Sequence, residues 1–260
     1  MNPPKPLARR LFKLLKFLTF GYLALCLLLF VFQRKLLYFP VQDRGASPEI
    51  ATTFKMEDHT LHGWLLNASA EDAVIYYGGN AEAIEGNLIT FQLLWPKHAI
   101  YLLAYRGYGA SEGSPTEQGL YEDALAVFDQ VKAKHKKVNL VGRSLGSGVA
   151  TYVAANRDAH KLVLITPFDS IVAVAQQQYS IFPVKLLMVD RYDSLQRVAD
   201  IQEPTLLLVA AKDQIVPRAN SDRLAAQFKA EQRKVVLVEG ANHNNISRFE
   251  AFHAALKAFL

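Results

Sequence analysis

The stretch Val138–Ala150, "VNLVGRSLGSGVA", decides how the rest of the chain is read. Four apolar-leaning residues, 138–141, have the length and composition of a short buried strand. Small residues open the segment 146–156, which reads as a helix. Between them stands Ser144, with Gly142 and Gly146 two positions to either side. A strand that bends straight into a helix must turn very tightly. Side chains at Gly142 and Gly146 would collide inside such a turn. The turn also forces Ser144 into a strained backbone conformation and lifts its hydroxyl clear of the sheet edge. The helix that follows aims its first N–H groups at the same place, where negative charge is welcome. Ser147, one turn further on, reads as a small packing residue.

The chain has 260 residues, 51% of them hydrophobic, enough for one large core. Its net charge of +5 is unevenly spread. Residues 1–44 hold eight Lys or Arg against one acid, Asp43, and carry +7, while residues 45–260 carry −2. A near-neutral body gives no reason to expect nucleic acid as a partner. The basic cluster 132–137 ends an expected helix, where lysine complements the helix dipole. Cys26 is the single cysteine, so neither an intrachain disulfide nor a cysteine-based zinc site is expected.

The N-terminal run 17–32, "FLTFGYLALCLLLFVF", is uncharged and apolar on every face. With 11–16 it reaches 22 residues, enough to cross a bilayer core if Lys13 and Lys16 snorkel. A cleavable signal peptide needs small residues after the apolar run, whereas "QRKLLYFP" follows here. An uncleaved single-pass anchor at about 11–32 is the better reading. Lys5, Arg9, Arg10, Lys13 and Lys16 precede the span, and Arg34 and Lys35 follow it. This asymmetry places the tail in the cytoplasm and the body on the non-cytoplasmic side of the cell membrane. Tyr38 and Phe39 are expected to dip into the interface.

The body alternates strands with helices. Expected strands are 54–56, 61–66, 73–77, 99–105, 138–141, 162–166, 205–210 and 235–238, with helices over 116–135, 219–229 and 247–260. The pattern predicts an α/β fold with a mostly parallel eight-stranded sheet and helices on both faces. The longest gap between strands, about 167–203, reads as a small cap over the site. The expected organisation is a tail and anchor over 1–35 and one domain over 36–260.

A serine hydroxyl is a weak nucleophile without a neighbouring base. Of seven histidines, only His243 follows a strand's carboxyl end in a loop, "VEGANHNNIS", after the turn at Ser144. Reacting groups collect at that edge of a parallel sheet. The base in turn needs an acid to fix its tautomer. Asp213, in "LLLVAAKDQIVP", is preferred, and Asp169, in "LVLITPFDS", is the alternative. Asp190 and Asp193 fall in the cap and read as ion-paired or capping residues. An oxyanion requires two backbone N–H donors. Leu145 supplies one, and the loop "VIYYGGNAE" supplies the other, with Asn80 the first choice and Gly79 the second.

The segments "YGGNAE", "AYRGYGASEGSPTEQGLYEDA", "VGRSLGSGVA", "TPFDSI", "VAAKDQIVP" and "GANHNNIS" resemble, in this order, the Bem46-like α/β-hydrolases, whose relatives include membrane-anchored serine hydrolases. The resemblance runs from roughly Leu36 to Leu260. It implies Ser144, Asp213 and His243 as a triad, an oxyanion hole at Asn80 and Leu145, and hydrolysis of esters or thioesters without a cofactor or metal. The family often has histidine at the position of Gly78 and aspartate at that of Ala104. The substrate expected is a small or lipid-like acyl ester, and Ile181, Phe182, Leu186, Leu187 and Met188 of the cap suggest an apolar acyl site, although such residues are more often simply core. A peptidase ranks low, since no acidic motif for a substrate amino terminus is visible. The alternative from another class is a non-catalytic binding or signalling protein on the same fold.

Overall fold

Each of the eight expected apolar runs forms a strand of one sheet in the computed structural model, which describes residues 6–42 and 48–260. Lys5, Asp43 and Arg44, used in the charge argument, lie outside the described residues. The strands are β1 (Ala51–Lys55), β2 (Thr60–Leu66), β3 (Asp72–Tyr77), β4 (His98–Leu103), β5 (Val138–Arg143), β6 (Lys161–Ile165), β7 (Thr205–Ala210) and β8 (Arg233–Val238). Their order is β1-β2-β4-β3-β5-β6-β7-β8. β1 and β2 pair antiparallel, as do β2 and β4, and every later pairing is parallel. β1 begins earlier than the sequence predicts, because Ala51, Thr52 and Thr53 pair with Trp64, Gly63 and His62 along an exposed edge.

Alternation along the strands fills two cores. Ile75 and Tyr77 of β3 face one side, with Leu140 of β5. There they meet α3 (Glu117–Lys132), α4 (Leu145–Asn156) and α8 (Arg218–Gln227) through residues such as Val127, Val153 and Leu224. Val74 and Tyr76 face the other side, against α2 (Leu88–Leu94) and α9 (Glu250–Phe259) through Phe91, Phe252 and Leu256. Each such side chain, taken fully from water, contributes roughly 1.5–3 kcal/mol. Thr116 caps α3, its hydroxyl accepting from Gly119 N at 3.0 Å.

The long connection from β6 to β7 carries three short helices, α5 (Ile171–Gln178), α6 (Val184–Leu187) and α7 (Ser194–Arg197). Asp193 caps α7 by accepting from Gln196 N, and Asp190 pairs with Arg34. The N-terminal helix α1 spans Pro6–Leu37, 32 residues and about 48 Å at 1.5 Å per residue, longer than the apolar run alone. It is long and apolar enough to cross a bilayer. Its end departs from expectation at Tyr38. That residue is buried, not interfacial, because its hydroxyl is held by Asp190 at 3.0 Å and Tyr192 at 2.9 Å. Phe39 alone is exposed.

Candidate active site

β5 ends at Arg143 and α4 begins at Leu145, so Ser144 is the whole of the turn between them. Its φ of 50° and ψ of −116° are strained for a residue with a side chain. Nearby packing explains the two flanking glycines. A Cβ at Gly146 would run into the carbonyl oxygens of Tyr77 and Gly78, and one at Gly142 into Ala150 and the Gly146 carbonyl. The close approach of β5, α4 and the end of β3 therefore leaves no room for alanine at either position. Ser147 is fully buried and turned back, its hydroxyl donating to Ser144 O at 2.6 Å.

β7 and β8 deliver the other two groups to the same edge. Asp213 follows β7, and His243 lies in the loop after β8. Ser144 Oγ stands 2.9 Å from His243 Nε2, and His243 Nδ1 stands 2.7 Å from Asp213 Oδ2. His243 and the Asp213 carboxylate are buried while Ser144 is half-buried, so the serine is the open end of the relay. The second carboxylate oxygen accepts from Ile215 N at 2.9 Å and Val216 N at 2.8 Å, which fixes its direction. The asparagines around His243 close its loop. Asn242 Oδ1 accepts from Asn244 N and Asn245 N, and Asn245 Oδ1 accepts from Asn242 N. Lys212 N donates to Ala241 O at 2.8 Å, tying the acid's loop to the base's.

The alternative acid is committed elsewhere. Asp169 accepts from Arg223 Nε at 2.7 Å, Asn220 Nδ2 at 2.8 Å and Ser170 N at 2.7 Å, and so ties the start of the β6–β7 connection to α8. Three of the other six histidines are engaged in hydrogen bonds elsewhere. His59 lies between Asp58 and Asp123, His135 bridges Tyr101 and Ala70 O, and His253 bonds Ser247 O.

The loop after β3 faces Ser144 and separates the two oxyanion candidates. Gly79 N–H donates to the Glu82 carboxylate, which takes it out of the available donors. Asn80 N–H has no hydrogen-bond partner among the described residues, and Leu145 N–H, at the first position of α4, has none within the helix. Asn80's side chain does not cap a helix. Its Oδ1 accepts from Phe39 N at 2.9 Å and Tyr108 OH at 2.7 Å, and its Nδ2 donates to Leu37 O. Tyr105 OH donates to Gly78 O at 2.8 Å, and burial pushes its pKa well up, keeping it a donor. The two tyrosines of "YRGYG" therefore clamp the loop, and Arg106 between them grips Asp123 with two bonds of 2.7 Å. A side chain at Gly78, where histidine is often found, would require Ile84 to shift, since a Cβ would lie 2.7 Å from its methyl group. Ala104, where aspartate is frequent, lines a cavity behind the loop with Trp64, Ile84 and Tyr108.

Sequence reasoning missed a buried ion pair joining these parts. Arg143, beside the serine, donates from Nη1 to Glu82 Oε1 at 2.7 Å and from Nη2 to His243 O at 3.3 Å. Glu82 also accepts from Tyr76 OH and Asn87 Nδ2, each at 2.9 Å. Burial opposes ionisation of Glu82, but Arg143 and the bonds from Gly79, Asn87 and Tyr76 hold its carboxyl below the usual range. One carboxylate thus braces the serine turn, the loop after β3 and, through Arg143, the loop of His243. Both residues lay inside quoted motifs, yet their pairing spans 61 positions and has no local signal.

A strained serine at the carboxyl edge of this sheet order, within reach of a histidine and an aspartate from later loops, defines an α/β-hydrolase. The chain belongs to the serine hydrolase (FSH1) family, which it matches over residues 101–243. It is 31% identical over 233 residues to an uncharacterized protein of Mycobacterium tuberculosis, covering 82% of this chain and 81% of that one. It is 25% identical over 248 residues to the alpha/beta hydrolase domain-containing protein WAV2 of Arabidopsis thaliana, covering 82% and 80%. These relatives fit the Bem46-like resemblance. An esterase of Pyrococcus furiosus is similar in structure, with a TM-score of 0.71 at 19% identity, covering 86% of this chain and 98% of that one. At that identity the likeness is one of fold.

Proposed function

We propose that this protein is a membrane-anchored serine hydrolase cleaving carboxylic esters or thioesters through an acyl-enzyme. The observation that carries the reading is the unbroken relay of 2.9 and 2.7 Å from Ser144 through His243 to Asp213. Ser144 Oγ attacks the acyl carbon while His243 Nε2 takes its proton. Asp213 holds the imidazole tautomer and stabilises the imidazolium. The oxyanion rests on the N–H groups of Asn80 and Leu145, worth roughly 3–4 kcal/mol for a lost donor. Collapse expels the alcohol or thiol, which takes the proton back from His243. A water then attacks the acyl group by the same route and frees the acid and Ser144.

Residues 1–35 are read as tail and uncleaved anchor, and 36–260 as the hydrolase domain with a cap at about 167–203. The span's length and its exposed apolar side chains support the anchor. The charge asymmetry supports a body outside the cytoplasm. A fluorophosphonate probe tests the chemistry. Labelling that disappears in Ser144→Ala is expected, and a folded protein that never labels is instead a binding or signalling protein. Protease added outside intact cells tests topology: the body should be digested while a cytoplasmic marker survives, and a protected body overturns the orientation.

A further inference from the structure

The cap and the N-terminal helix share a face. Tyr22 stacks on Phe182 with ring centroids 5.8 Å apart, and its hydroxyl donates to Ile181 O at 2.8 Å. Further along, Gln33 Nε2 donates to Leu187 O at 3.2 Å, and Gln33 Oε1 accepts from Val189 N at 2.7 Å. Arg34 Nε then meets Asp190 at 3.1 Å. The covered positions of α1 are Cys26, Leu29, Gln33 and Leu37, the spacing of one helix face. The cap therefore runs down the side of α1 and does not merely touch its end.

Height follows from helix geometry. Gln33, Arg34 and Lys35 are the first polar residues after the uncharged run, so they mark its interfacial end. Tyr22 lies 11 residues earlier, about 16 Å deeper along the axis, roughly half of a ~30 Å hydrocarbon core. Whatever is bonded to Tyr22 lies at a similar depth. The outward side chains of the cap suit that place: Tyr179 is 54% exposed, Ile181 73%, Leu186 84% and Val189 51%. Several main-chain groups there are paired within the segment, with Phe182 N on Tyr179 O and Met188 N on Val184 O. Lys185 is the single charge in residues 179–189, and its long stem can carry it to the surface.

We propose that cap residues 179–189 sit within the hydrocarbon of the leaflet next to the body, so that acyl chains reach Ser144 sideways from the bilayer. The inference rests on the anchor reading above. Hydrogen bonds tie the end of α5, next to the cap segment, to the loop that carries Asp213. Gln178 Nε2 donates to Ile215 O at 3.2 Å, and Ile215 N donates to Asp213 Oδ1. On the other flank, Leu37 O and Phe39 N both bond Asn80 of the oxyanion loop. The site is thus held between two segments that enter the same leaflet.

The test uses the full chain in lipid nanodiscs, in a Cys26→Ala background, with an environment-sensitive fluorophore on single cysteines. Ile181→Cys and Leu186→Cys probe the cap, Phe20→Cys probes α1, and Lys137→Cys marks the opposite sheet edge. Fluorophosphonate labelling of each variant reports an intact site. With mid-chain brominated lipids, the cap positions should lose emission as Phe20→Cys does, while Lys137→Cys keeps its emission. Quenching at Phe20→Cys with cap positions that behave like Lys137→Cys overturns the proposal and leaves the anchor standing. No quenching at Phe20→Cys overturns the anchor, and the proposal with it.

Discussion

Leu140 in β5 and Phe20 in α1 are both large apolar side chains in regular elements, yet Leu140 is fully buried and Phe20 is 70% exposed. In the body, alternate strand residues turn toward two helix layers and water is excluded by the chain itself. Along α1 the apolar residues point in every direction, and only one narrow stripe meets the cap. A core built from both faces of a sheet supplies its own solvent, whereas a helix apolar all round depends on another. The seam between the two regions is polar and directional: Tyr38, Arg34, Asp190 and Tyr192 meet where the helix leaves the body. Apolar burial fixes each region separately, and hydrogen bonds fix how they join.

The comparison can be broken most sharply in the body, at the relay. Asp213→Asn should lower turnover roughly 10⁴-fold with the fold retained, because the imidazole loses its orienting partner. Asp169→Asn should instead cost stability, since the amide keeps one acceptor oxygen of two and no charge to face Arg223, and leave the chemical step nearly intact. Steady-state kinetics beside urea unfolding separate the two, and the reverse pattern contradicts the assignment.

Glycines sharpen the contrast between regions. Gly146→Ala must push apart β3 and α4 and should destabilise by about 3 kcal/mol, as overpacking does. Gly21→Ala on α1 meets nothing within 4 Å and should change stability by no more than about 1 kcal/mol, favourably through helix propensity. Thermal unfolding in lipid nanodiscs reads both.

Glu82→Gln removes the partner of a mostly buried guanidinium and should cost about 3 kcal/mol. The wild-type carboxyl has a folded pKa below its unfolded value. Its contribution is therefore complete above the ordinary glutamate range and is lost as pH falls through the lower folded value. Unfolding free energies measured from neutral pH downward should converge for wild type and variant in acid. A constant gap would assign the loss to shape and not to charge. Smaller again, Tyr38→Phe takes one hydroxyl from the seam and should cost about 1 kcal/mol, with ester turnover retained.

Much of this was legible in the sequence because its signals are local. Apolar runs of strand length gave all eight strands, and the glycines around Ser144 gave the turn. His243 and Asp213 were singled out because each follows a strand's carboxyl end, and the structure brings both beside Ser144. What escaped depends on contacts far apart in the chain. Glu82 and Arg143 meet across 61 positions, Tyr22 and Ile181 across 159, and Tyr38 and Asp190 across 152. Tyr38 therefore looked like an interfacial aromatic when it is a buried hydrogen-bond donor. The cap residues also kept their meaning hidden. By composition Ile181 and Leu186 fitted an acyl site or a core, and their exposure of 73% and 84% takes them out of the core. Asn80 was preferred to Gly79 as a donor, and the bond from Gly79 N to the Glu82 carboxylate, which supports that order, had no local signal.

The central claim is that Ser144 carries the acyl group during turnover. Rapid mixing of the full-length protein with a chromogenic ester, followed by acid quench and mass mapping of the peptide containing Arg143–Ser147, tests it most directly. A burst of alcohol release should match an acyl adduct on Ser144 that decays as acid appears, and both should vanish in Ser144→Ala. Sustained ester turnover with no adduct on Ser144, or turnover that survives Ser144→Ala, would contradict the account.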